Sequence, residues 1–387
     1  MPKISICSST YNHERYAAEA IQSVLNQTLQ DFELIITDDA STDANVEVIQ
    51  RFKDPRITLL CNKVNRGNMA ALDNSVARSS GQYIAWLTTD DVWEPSMLEV
   101  LSTYLDEHPD ALGVFGRALF IDEAGNPVDY CFDPGEAGVG LSRFEHLNNL
   151  FRVDNHFCYP AGMIRRSTFE KLGYFPLHLR QIHDLAYWIL ALFHGELPIL
   201  PDKLLRFRLR DNNANAGSET PENRRRVNFE VFENLALYAD HIRDADLLLK
   251  IFPEVRQHPW PIEDRLVTFH LAHVALAHGT AVHRLFGLDL LYKLMADRNT
   301  AEYLRARCNF DYPDLFRLEA EKPVFADYDE LDRDTASLHQ EIACLKKMLE
   351  DGIAHRKQLE DAYQQLLSST SWKIASFFQR ARSALTR

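Results

Sequence analysis

Two stretches near the amino end determine the predicted fold: ISICSSTYN at residues 4–12 and FELIITDDASTD at residues 32–43. In each, a short apolar run rich in β-branched residues ends in polar side chains. Similar runs lie at residues 57–61, 83–87 and 111–120, and amphipathic stretches of helical length separate them at residues 14–29, 43–52, 68–79 and 95–108. Strands and helices that alternate in this way predict an α/β fold with a doubly wound, mostly parallel sheet.

The polar residues that follow the predicted strands are the candidate ligand-binding residues, because open α/β sheets bind ligands at the carboxyl ends of their strands. Thr10 and Tyr11 follow the first strand, and Asp38 and Asp39 follow the second. The fourth strand is followed by TTDDVW at residues 88–93. Two acidic pairs at one edge would repel each other unless a cation or hydrogen-bond donors lay between them. A metal ion with a nucleotide would meet that need.

The composition is that of a folded protein without general affinity for nucleic acid. The 387 residues are 46% hydrophobic, and 42 Lys and Arg against 56 Asp and Glu give a formal net charge of −14. Nucleic acid is bound by clustered positive charge, so this balance argues against such a partner. The six cysteines lack metal or disulfide spacing, and neither a signal peptide nor a transmembrane-length apolar run is found. We therefore expect a cytoplasmic protein.

Ten short motifs occur in an order typical of one enzyme family. They are ISICSSTYN at 4–12, AIQSVLNQT at 20–28, DFELII at 31–36, DDASTD at 38–43, NRG at 65–67, GQYI at 81–84, TDDVWEP at 89–95, MIRRS at 163–167, GYF at 173–175 and HDLAYW at 183–188. Together they resemble glycosyltransferase family 2 over residues 3–215. The resemblance implies a GT-A fold and the transfer of a sugar, with inversion, from a nucleoside diphosphate donor. No P-loop or G-x-G-x-x-G motif is present to suggest a kinase-like or classical dinucleotide-binding enzyme.

The resemblance also implies roles for the residues at the strand ends. Thr10, Tyr11 and Asn65 would bind the nucleotide sugar, and Asp39 would hydrogen-bond the base, which is most often uracil. A carboxylate can accept a hydrogen bond from an imide or amine N–H, so that role is chemically sound. Asp38 is either a second binding residue or a structural neighbour.

Two adjacent aspartates match the family's metal motif. By the resemblance, Asp91 is the direct ligand of Mn²⁺ or Mg²⁺, and Asp90 lies nearer the ribose or the donor sugar. A cation held by a carboxylate and the two phosphates would neutralise the departing diphosphate. Thr88 stands where many relatives have a further Asp, so the motif is a reduced one.

Asp184 matches the family's general base, which takes the proton of the attacking hydroxyl. The preceding residue, acidic in most relatives, is His183 here. As an alternative, Asp184 caps a helix that begins at Leu185. Arg208 is predicted to bind the diphosphate, because its segment resembles one that folds over the phosphates in this family. Arg206 and Arg210 lie two residues to either side, so the register of that segment stays open.

The remaining chain predicts three further regions after a glycosyltransferase domain at residues 1–215. Residues 216–322 form a helical appendage, in which four histidines favour a structural over a metal-binding role because their spacing does not repeat every four residues. Those histidines are His270, His273, His278 and His283. Residues 323–367 are predicted as a coiled coil for homo-oligomerisation, or as a long helix that packs on its own domain. The apolar positions of that repeat are Leu331, Leu338, Ile342, Leu345, Leu349, Leu359, Tyr363 and Leu366.

The last region, residues 368–387, carries four cations, no acid and several aromatic side chains. Such a basic amphipathic tail suits the inner face of a cell membrane, where the protein would be peripheral. A helix that closes the coiled coil is the alternative. The SWK sequence at residues 371–373 resembles the carboxyl ends of bacterial enzymes of surface polysaccharide synthesis.

The sequence therefore predicts an inverting, metal-dependent glycosyltransferase. Its partners would be a nucleotide-sugar donor, most often a UDP-sugar, and a hydroxyl of a glycan or lipid-linked acceptor in bacterial surface polysaccharide or lipopolysaccharide synthesis. Two alternatives remain: a nucleotidyltransferase, which also uses carboxylates and a metal, and a non-catalytic scaffold that works through its coiled coil.

Overall fold

An eight-stranded sheet is the framework of the amino-terminal part of the chain. The computed structural model describes residues 1–128, 134–152, 155–210 and 220–321, with Val324 and Lys357. Contacts divide the chain into one unit at Met1–Val324 and another at Phe325–Arg387. The coiled coil and basic tail predicted for residues 323–387 lie outside the described residues, apart from Val324 and Lys357, so they stay predictions.

The sheet is mixed. The strands are β1 (Ile4–Thr10), β2 (Phe32–Asp38), β3 (Ile57–Cys61), β4 (Tyr83–Thr88), β5 (Val92–Trp93), β6 (Gly113–Ile121), β7 (Gly162–Arg165) and β8 (Ile199–Arg208). They lie in the order β3-β2-β1-β4-β7-β6-β8-β5. The first four of that order are parallel, and β6 is parallel to β8. However, β7 is antiparallel to both β4 and β6, and β5 is antiparallel to β8.

Helices surround the sheet and continue beyond it. Those of the first two hundred residues are α1 (Ala17–Leu25), α2 (Asn45–Gln50), α3 (Asn68–Arg78), α4 (Met97–Glu107), α5 (Arg143–Arg152), α6 (Arg166–Leu172) and α7 (His183–His194). The later ones are α8 (Pro221–His241), α9 (Ala245–Ile251), α10 (Val267–Ala277), α11 (Ala281–Ala296), α12 (Arg298–Cys308) and α13 (Tyr312–Glu321).

The strands bury side chains on both faces, which explains why helices cover the sheet on two sides. On β4, Ile84 and Trp86 belong to one hydrophobic cluster, whereas Tyr83, Ala85 and Leu87 belong to the other. Residues of α3, α5 and α7 complete the first cluster, and residues of α1, α2 and α4 complete the second. Alternation with a period of two is the expected result for a strand buried on both sides. The prediction of a doubly wound α/β fold is thus confirmed.

The prediction of a mostly parallel sheet is correct only for part of it. Residues 123–215 carry weak strand signals, and it is there that β7 and β8 form. β7 is four residues long and depends on its two neighbours, while β8 contains Pro201 and meets β6 with register shifts near Arg117. Proline removes a ladder donor and is confined to edges and irregularities of sheets. β7 and β8, which the sequence periodicity did not predict, are therefore a short strand and an irregular strand.

The helical region at residues 216–322 shares the hydrophobic core of the first face. Leu235, Phe252 and Leu291 belong to the same cluster as Trp86 of β4 and Trp188 of α7. Tyr238 on α8 donates a hydrogen bond to the carbonyl of Leu147 on α5 at 2.8 Å. Residues up to Val324 therefore pack as one unit, and α8 is in position to influence α7.

The histidines of this region lie within the packed helices. His270 contacts His258 through their Nδ1 atoms at 2.8 Å, and its Nε2 lies 2.9 Å from the carbonyl of Pro261. His278 and His283 reach the carbonyls of Arg152 and Phe151 at 2.8 and 2.6 Å. In the described ranges, no group of three or more His, Cys, Asp and Glu is arranged to hold a metal ion. The described helices also include none that is long and apolar enough to span a membrane.

Candidate active site

The carboxyl ends of three neighbouring strands form the edge where polar residues collect. In the sheet register, Thr10 of β1 pairs with Asp38 of β2, and Ser9 of β1 pairs with Thr88 of β4. The loops that follow these strands therefore lie side by side, as the sequence predicted. Their side chains then differ sharply in burial and in the partners they contact.

Thr10 and Asp38 are hydrogen-bonded to residues of the segment that follows β2. Asn45 donates through Nδ2 to Thr10 Oγ1 at 3.1 Å and to Asp38 Oδ2 at 2.8 Å. Asp38 also accepts hydrogen bonds from the backbone N–H and the hydroxyl of Ser41, at 2.9 and 2.6 Å. Thr10 and Asp38 are buried, whereas Tyr11, the residue after β1, is 43% exposed. The contacts of Asp38 are those of a structural residue.

Asp39 fixes the loop that contains Asn65. Its carboxylate accepts hydrogen bonds from Asn62 Nδ2 at 2.7 Å, from the N–H of Arg66 at 3.0 Å and from the N–H of Gly67 at 2.8 Å. Asn65 lies on the surface of that loop, and its Oδ1 accepts from Gly67 N at 3.1 Å. Gly67 has a φ of 91°, a conformation that other residues adopt only with strain. Asp39 thus fixes the loop on which Asn65 lies.

Asp90 and Asp91 face different surroundings. Asp91 is 2% exposed, and its carboxylate accepts hydrogen bonds from Arg208 N at 2.8 Å and from the Thr88 hydroxyl. Burial, together with the charge of Asp90, raises the pKa of Asp91 well above its ordinary value. The Asp90 side chain is 12% exposed, and Asp90 Oδ2 lies 3.2 Å from Arg210 Nε. Asp91 is therefore the anchor of β8, and Asp90 is the more accessible carboxylate.

Arg208, the predicted phosphate contact, is enclosed by acceptors within the protein. It is 1% exposed, and its guanidinium donates to the carbonyls of Asp90, Asp122 and Glu123 at 2.8, 3.1 and 3.1 Å. It also forms an ion pair with Glu19 Oε2 at 2.7 Å. These acceptors lie inside the protein, so the observed contacts of Arg208 are structural, and its role towards the phosphates stays a prediction. Arg210 is the arginine that lies beside Asp90.

A histidine that the sequence analysis overlooked joins Arg210 to the strand ends. Arg210 Nη1 lies 3.0 Å from His13 Nε2, and His13 Nδ1 lies 2.7 Å from Thr89 Oγ1. Because a guanidinium can only donate, His13 Nε2 accepts and Nδ1–H donates to Thr89. Thr89 in turn donates to Thr10 Oγ1 at 2.8 Å. Burial lowers the pKa of His13; the charge of Asp90 opposes this shift and the charge of Arg210 adds to it. The three hydrogen bonds therefore fit a neutral imidazole.

The signal for His13 was present in the sequence. It directly follows the polar residues at the end of β1, and the rule that selected Thr10 and Tyr11 extends to it. His13 was missed because no motif of the resemblance includes it.

Asp184 lies in the first turn of α7, partly buried. Asn155 Nδ2 donates to Asp184 Oδ2 at 2.7 Å, and Asn155 Oδ1 accepts a hydrogen bond from Phe157 N at 3.0 Å. Burial raises the pKa of Asp184 above its ordinary value, while the charge of His183, the backbone N–H groups at the helix start and the hydrogen bond from Asn155 oppose that rise. A carboxylate whose pKa is moved towards neutrality is a stronger base than an ordinary aspartate.

Tyr159 links Asp184 to the sheet edge. Burial and the nearby charge of Asp184 raise the pKa of Tyr159 well above its ordinary value. The Tyr159 ring stacks on Trp86 of β4 with 5.1 Å between ring centroids. β4 ends two residues after Trp86, at Thr88.

Comparison with known proteins identifies the class of this fold and site. The model of the family described as glycosyl transferase family 2 matches residues 5–173. A glycosyltransferase of Methanocaldococcus jannaschii, MJ1057, is 31% identical over 218 residues, which are 54% of this chain and 73% of that protein. A Haemophilus influenzae glycosyltransferase is 34% identical over 243 residues, covering 60% and 75%. TuaG of Bacillus subtilis, whose name assigns it to teichuronic acid biosynthesis, is 32% identical over 197 residues, covering 50% and 73%.

The fold also has a counterpart among solved structures. Residues 1–349 of Staphylococcus aureus TarS, crystallised with UDP, superpose with a TM-score of 0.50 at 15% identity, covering 82% of this chain and 89% of that one. The likeness concerns the fold, which is GT-A. The chain belongs to glycosyltransferase family 2. It is accordingly a glycosyltransferase, and of the functions left open by the sequence this is the one retained.

Proposed function

We propose that the chain is an inverting glycosyltransferase that moves a sugar from a nucleoside diphosphate donor, UDP-linked in the first instance, to a hydroxyl of a glycan or lipid-linked acceptor. The observation that carries this proposal is the partly buried Asp184 in the first turn of α7, whose pKa burial raises, in a chain that belongs to glycosyltransferase family 2. Surface polysaccharide synthesis at the inner face of a bacterial membrane is the proposed setting, and the name of TuaG is consistent with it.

Asp184 is the proposed general base. In the transfer step, the acceptor oxygen forms a bond to the anomeric carbon while the bond from that carbon to the diphosphate oxygen breaks. The bonding electrons leave with the nucleoside diphosphate, and the acceptor's proton passes to the Asp184 carboxylate. Attack from the face opposite the leaving group inverts the anomeric configuration. A positioned base of this kind contributes about 10²- to 10⁴-fold to the rate.

The strand-end residues fit a divalent metal bound together with the donor. Because the described residues include no cluster of three protein ligands, the protein would supply one carboxylate or two, and phosphate and water oxygens would supply the rest. We propose Asp90 rather than Asp91 as the main ligand, since Asp91 is engaged with Arg208 N and Thr88. Mn²⁺ or Mg²⁺ at Asp90 would neutralise charge on the departing diphosphate.

Arg210, rather than Arg208, is the proposed phosphate contact. Its guanidinium lies beside Asp90 and His13, at the edge where a metal-bound diphosphate would lie. The roles of Thr10, Tyr11, Asp39 and Asn65 towards the nucleotide remain proposals of the same kind. For Thr10 and Asp39 the observed contacts support shaping of the pocket, and Tyr11 and Asn65 are the more exposed candidates for direct contact.

A donor screen tests the proposed function. Purified protein is heated with UDP-glucose, UDP-galactose, UDP-N-acetylglucosamine or GDP-mannose, each with Mn²⁺ and with EDTA. A donor at about 100 times its Kd stabilises the fold by about 2.7 kcal/mol, so one member should raise the Tm when Mn²⁺ is present. That member, the panel donor, should release its nucleoside diphosphate slowly when water replaces the acceptor. Stabilisation by none of them would contradict the proposal, and pyrophosphate release from a nucleoside triphosphate would favour the nucleotidyltransferase.

The pH dependence of this release should change when Asn155 is replaced by alanine. Release requires ionised Asp184, so its rate rises with pH through the pKa of that group. The hydrogen bond from Asn155 lowers this pKa, so its loss raises the pKa and moves the rising limb of the profile to higher pH. Asn148→Ala is the control, because Asn148 donates to the Ile251 carbonyl instead. If the rising limb of the pH profile of Asn155→Ala stayed at the wild-type pH, the hydrogen bond from Asn155 would not influence the group that acts as the base.

A further inference from the structure

A buried carboxylate on α8 contacts the turn that precedes the proposed base. Glu230 is 5% exposed and lies far along the chain from the strand-end residues. Its Oε1 accepts a hydrogen bond from Arg180 N at 2.8 Å, and its Oε2 accepts from Gln181 N at 2.8 Å and Ile182 N at 2.9 Å. One side chain thus binds three consecutive backbone N–H groups.

Burying a charged carboxylate costs free energy unless its oxygens accept hydrogen bonds. The three N–H groups supply that compensation, and they belong to the segment immediately before α7. The next helical turn on α8 contains Glu233, which is exposed to solvent. The position of Glu230, and not the mere presence of acids on α8, therefore defines the contact.

The contact continues directly into the first turn of α7. Ile182, whose N–H donates to Glu230, accepts through its carbonyl the hydrogen bond from Ala186 N at 3.2 Å. Asp184 lies between those two residues. Gln181 Nε2 also donates to Asn223 Oδ1 of α8 at 3.0 Å, a second link between the same elements. The turn before α7 is therefore hydrogen-bonded to α8 and leads directly into the helical turn that carries Asp184.

We propose that Glu230 is a positioning residue for Asp184, and that the helical region after residue 216 is part of the catalytic apparatus for this reason. The proposal rests on the proposed role of Asp184 as the base. Glu230 acts through the backbone of residues 180–182 and does not touch the substrate. A displacement of about 1 Å at a reacting group can cost about 100-fold in rate, so the rigidity of this turn matters for turnover more than for donor binding.

The test is a double-mutant cycle in the full chain, measured as nucleoside diphosphate release from the panel donor with Mn²⁺. Glu230→Gln keeps the shape of the side chain but directs an amide NH₂ at backbone donors. We expect kcat to fall about 10- to 100-fold with the donor Kd unchanged, and amide hydrogen exchange at residues 180–182 to accelerate. In the Asp184→Asn background, the same change should lower kcat less than about threefold, since coupled residues are non-additive.

Two further variants make the test decisive. Glu233→Gln is the matched control and should behave as wild type. Glu230→Asp retains the charge on a shorter side chain and should recover part of kcat; if Glu230→Gln fails to fold, the cycle is run with Glu230→Asp, where a reduced kcat at unchanged Kd is expected.

Contrary outcomes separate the two proposals. Wild-type kcat in a Glu230 variant with faster exchange at residues 180–182 would overturn the positioning role and leave Asp184 as the base. An equal loss of kcat in both backgrounds would also overturn it. Full activity in Asp184→Asn would instead show that Asp184 is not the base. The positioning proposal, which depends on that role, would then fail as well.

Discussion

Replacement of Asp184 by asparagine should lower nucleoside diphosphate release from the panel donor by about 10² to 10⁴, while the donor Kd stays the same. The carboxamide has nearly the same shape and can still accept the hydrogen bond from Asn155 Nδ2, which is 2.7 Å long in the wild type. What it lacks is the ability to take a proton. Because the change acts on the transfer step and not on donor contacts, kcat should carry the whole effect.

The control for Asp184→Asn is a helix-capping aspartate away from the site. Asp297 accepts a hydrogen bond from Thr300 N at 2.8 Å at the start of α12. Asp297→Asn should therefore change stability by about 1 kcal/mol at most and leave kcat unaltered, since asparagine is also a good cap. If Asp184→Asn resembled Asp297→Asn in both respects, Asp184 would have a structural role only and the reaction would need another base.

Replacement of Asp90 by asparagine should abolish the metal-dependent part of donor binding. Mn²⁺ prefers negatively charged oxygen ligands, and the described residues offer no cluster of three that could compensate for a lost carboxylate. We expect the Tm increase given by Mn²⁺ with the panel donor to disappear, and diphosphate release to fall below detection. The unliganded Tm should also fall, because the Asp90–Arg210 ion pair is mostly buried, with side chains 12% and 17% exposed, and loss of one partner of a buried pair is destabilising. The response to Mn²⁺ is therefore measured from the variant's own unliganded Tm.

Asp91→Ala should lower the stability of the fold and leave the response to Mn²⁺ and donor intact. It leaves the N–H of Arg208 without its acceptor in a buried position, which costs about 1 to 3 kcal/mol of unfolding free energy. The folded protein should still respond to Mn²⁺ and donor together. Urea unfolding and calorimetric titration of both variants distinguish the two aspartates. Loss of the Mn²⁺ response in Asp91→Ala with its retention in Asp90→Asn would restore the assignment that the family resemblance suggests.

The regular strands could be read from sequence because local pattern specifies them. Residues 4–8, 32–37, 57–61 and 83–87 were predicted as strands, and β1 to β4 extend these runs by two residues at most. β-branched residues buried on both faces leave little alternative for such runs. The helices were also found, but α1 begins at Ala17 rather than at residue 14, since residues 13–16 form a tight turn with the His13 carbonyl accepting from Tyr16 N at 2.9 Å.

Three arginines, two in β8 and one just beyond its end, show where local pattern stops being informative. Arg206, Arg208 and Arg210 are spaced by two, so strand alternation assigns them to the same face. Packing separates them: Arg206 pairs with Glu94 and is 48% exposed, Arg208 is enclosed by backbone carbonyls, and Arg210 reaches Asp90. The sequence therefore gives no reason to prefer Arg208 over Arg206 or Arg210 as the phosphate contact. Only contacts from residues distant in sequence decide which of the three can meet a ligand.

The sequence by itself determined the order of strands and helices, the collection of polar residues at one sheet edge and, through the ordered motifs, the family. These depend on short-range periodicity and on residues that follow strand ends. The tertiary structure decided which side chains at that edge are accessible, that His13 lies beside Arg210, and that Asn155 and Glu230 surround the turn bearing Asp184. Those relations join residues 29 to 197 positions apart, and burial and hydrogen bonding across such distances exist only once the chain has folded.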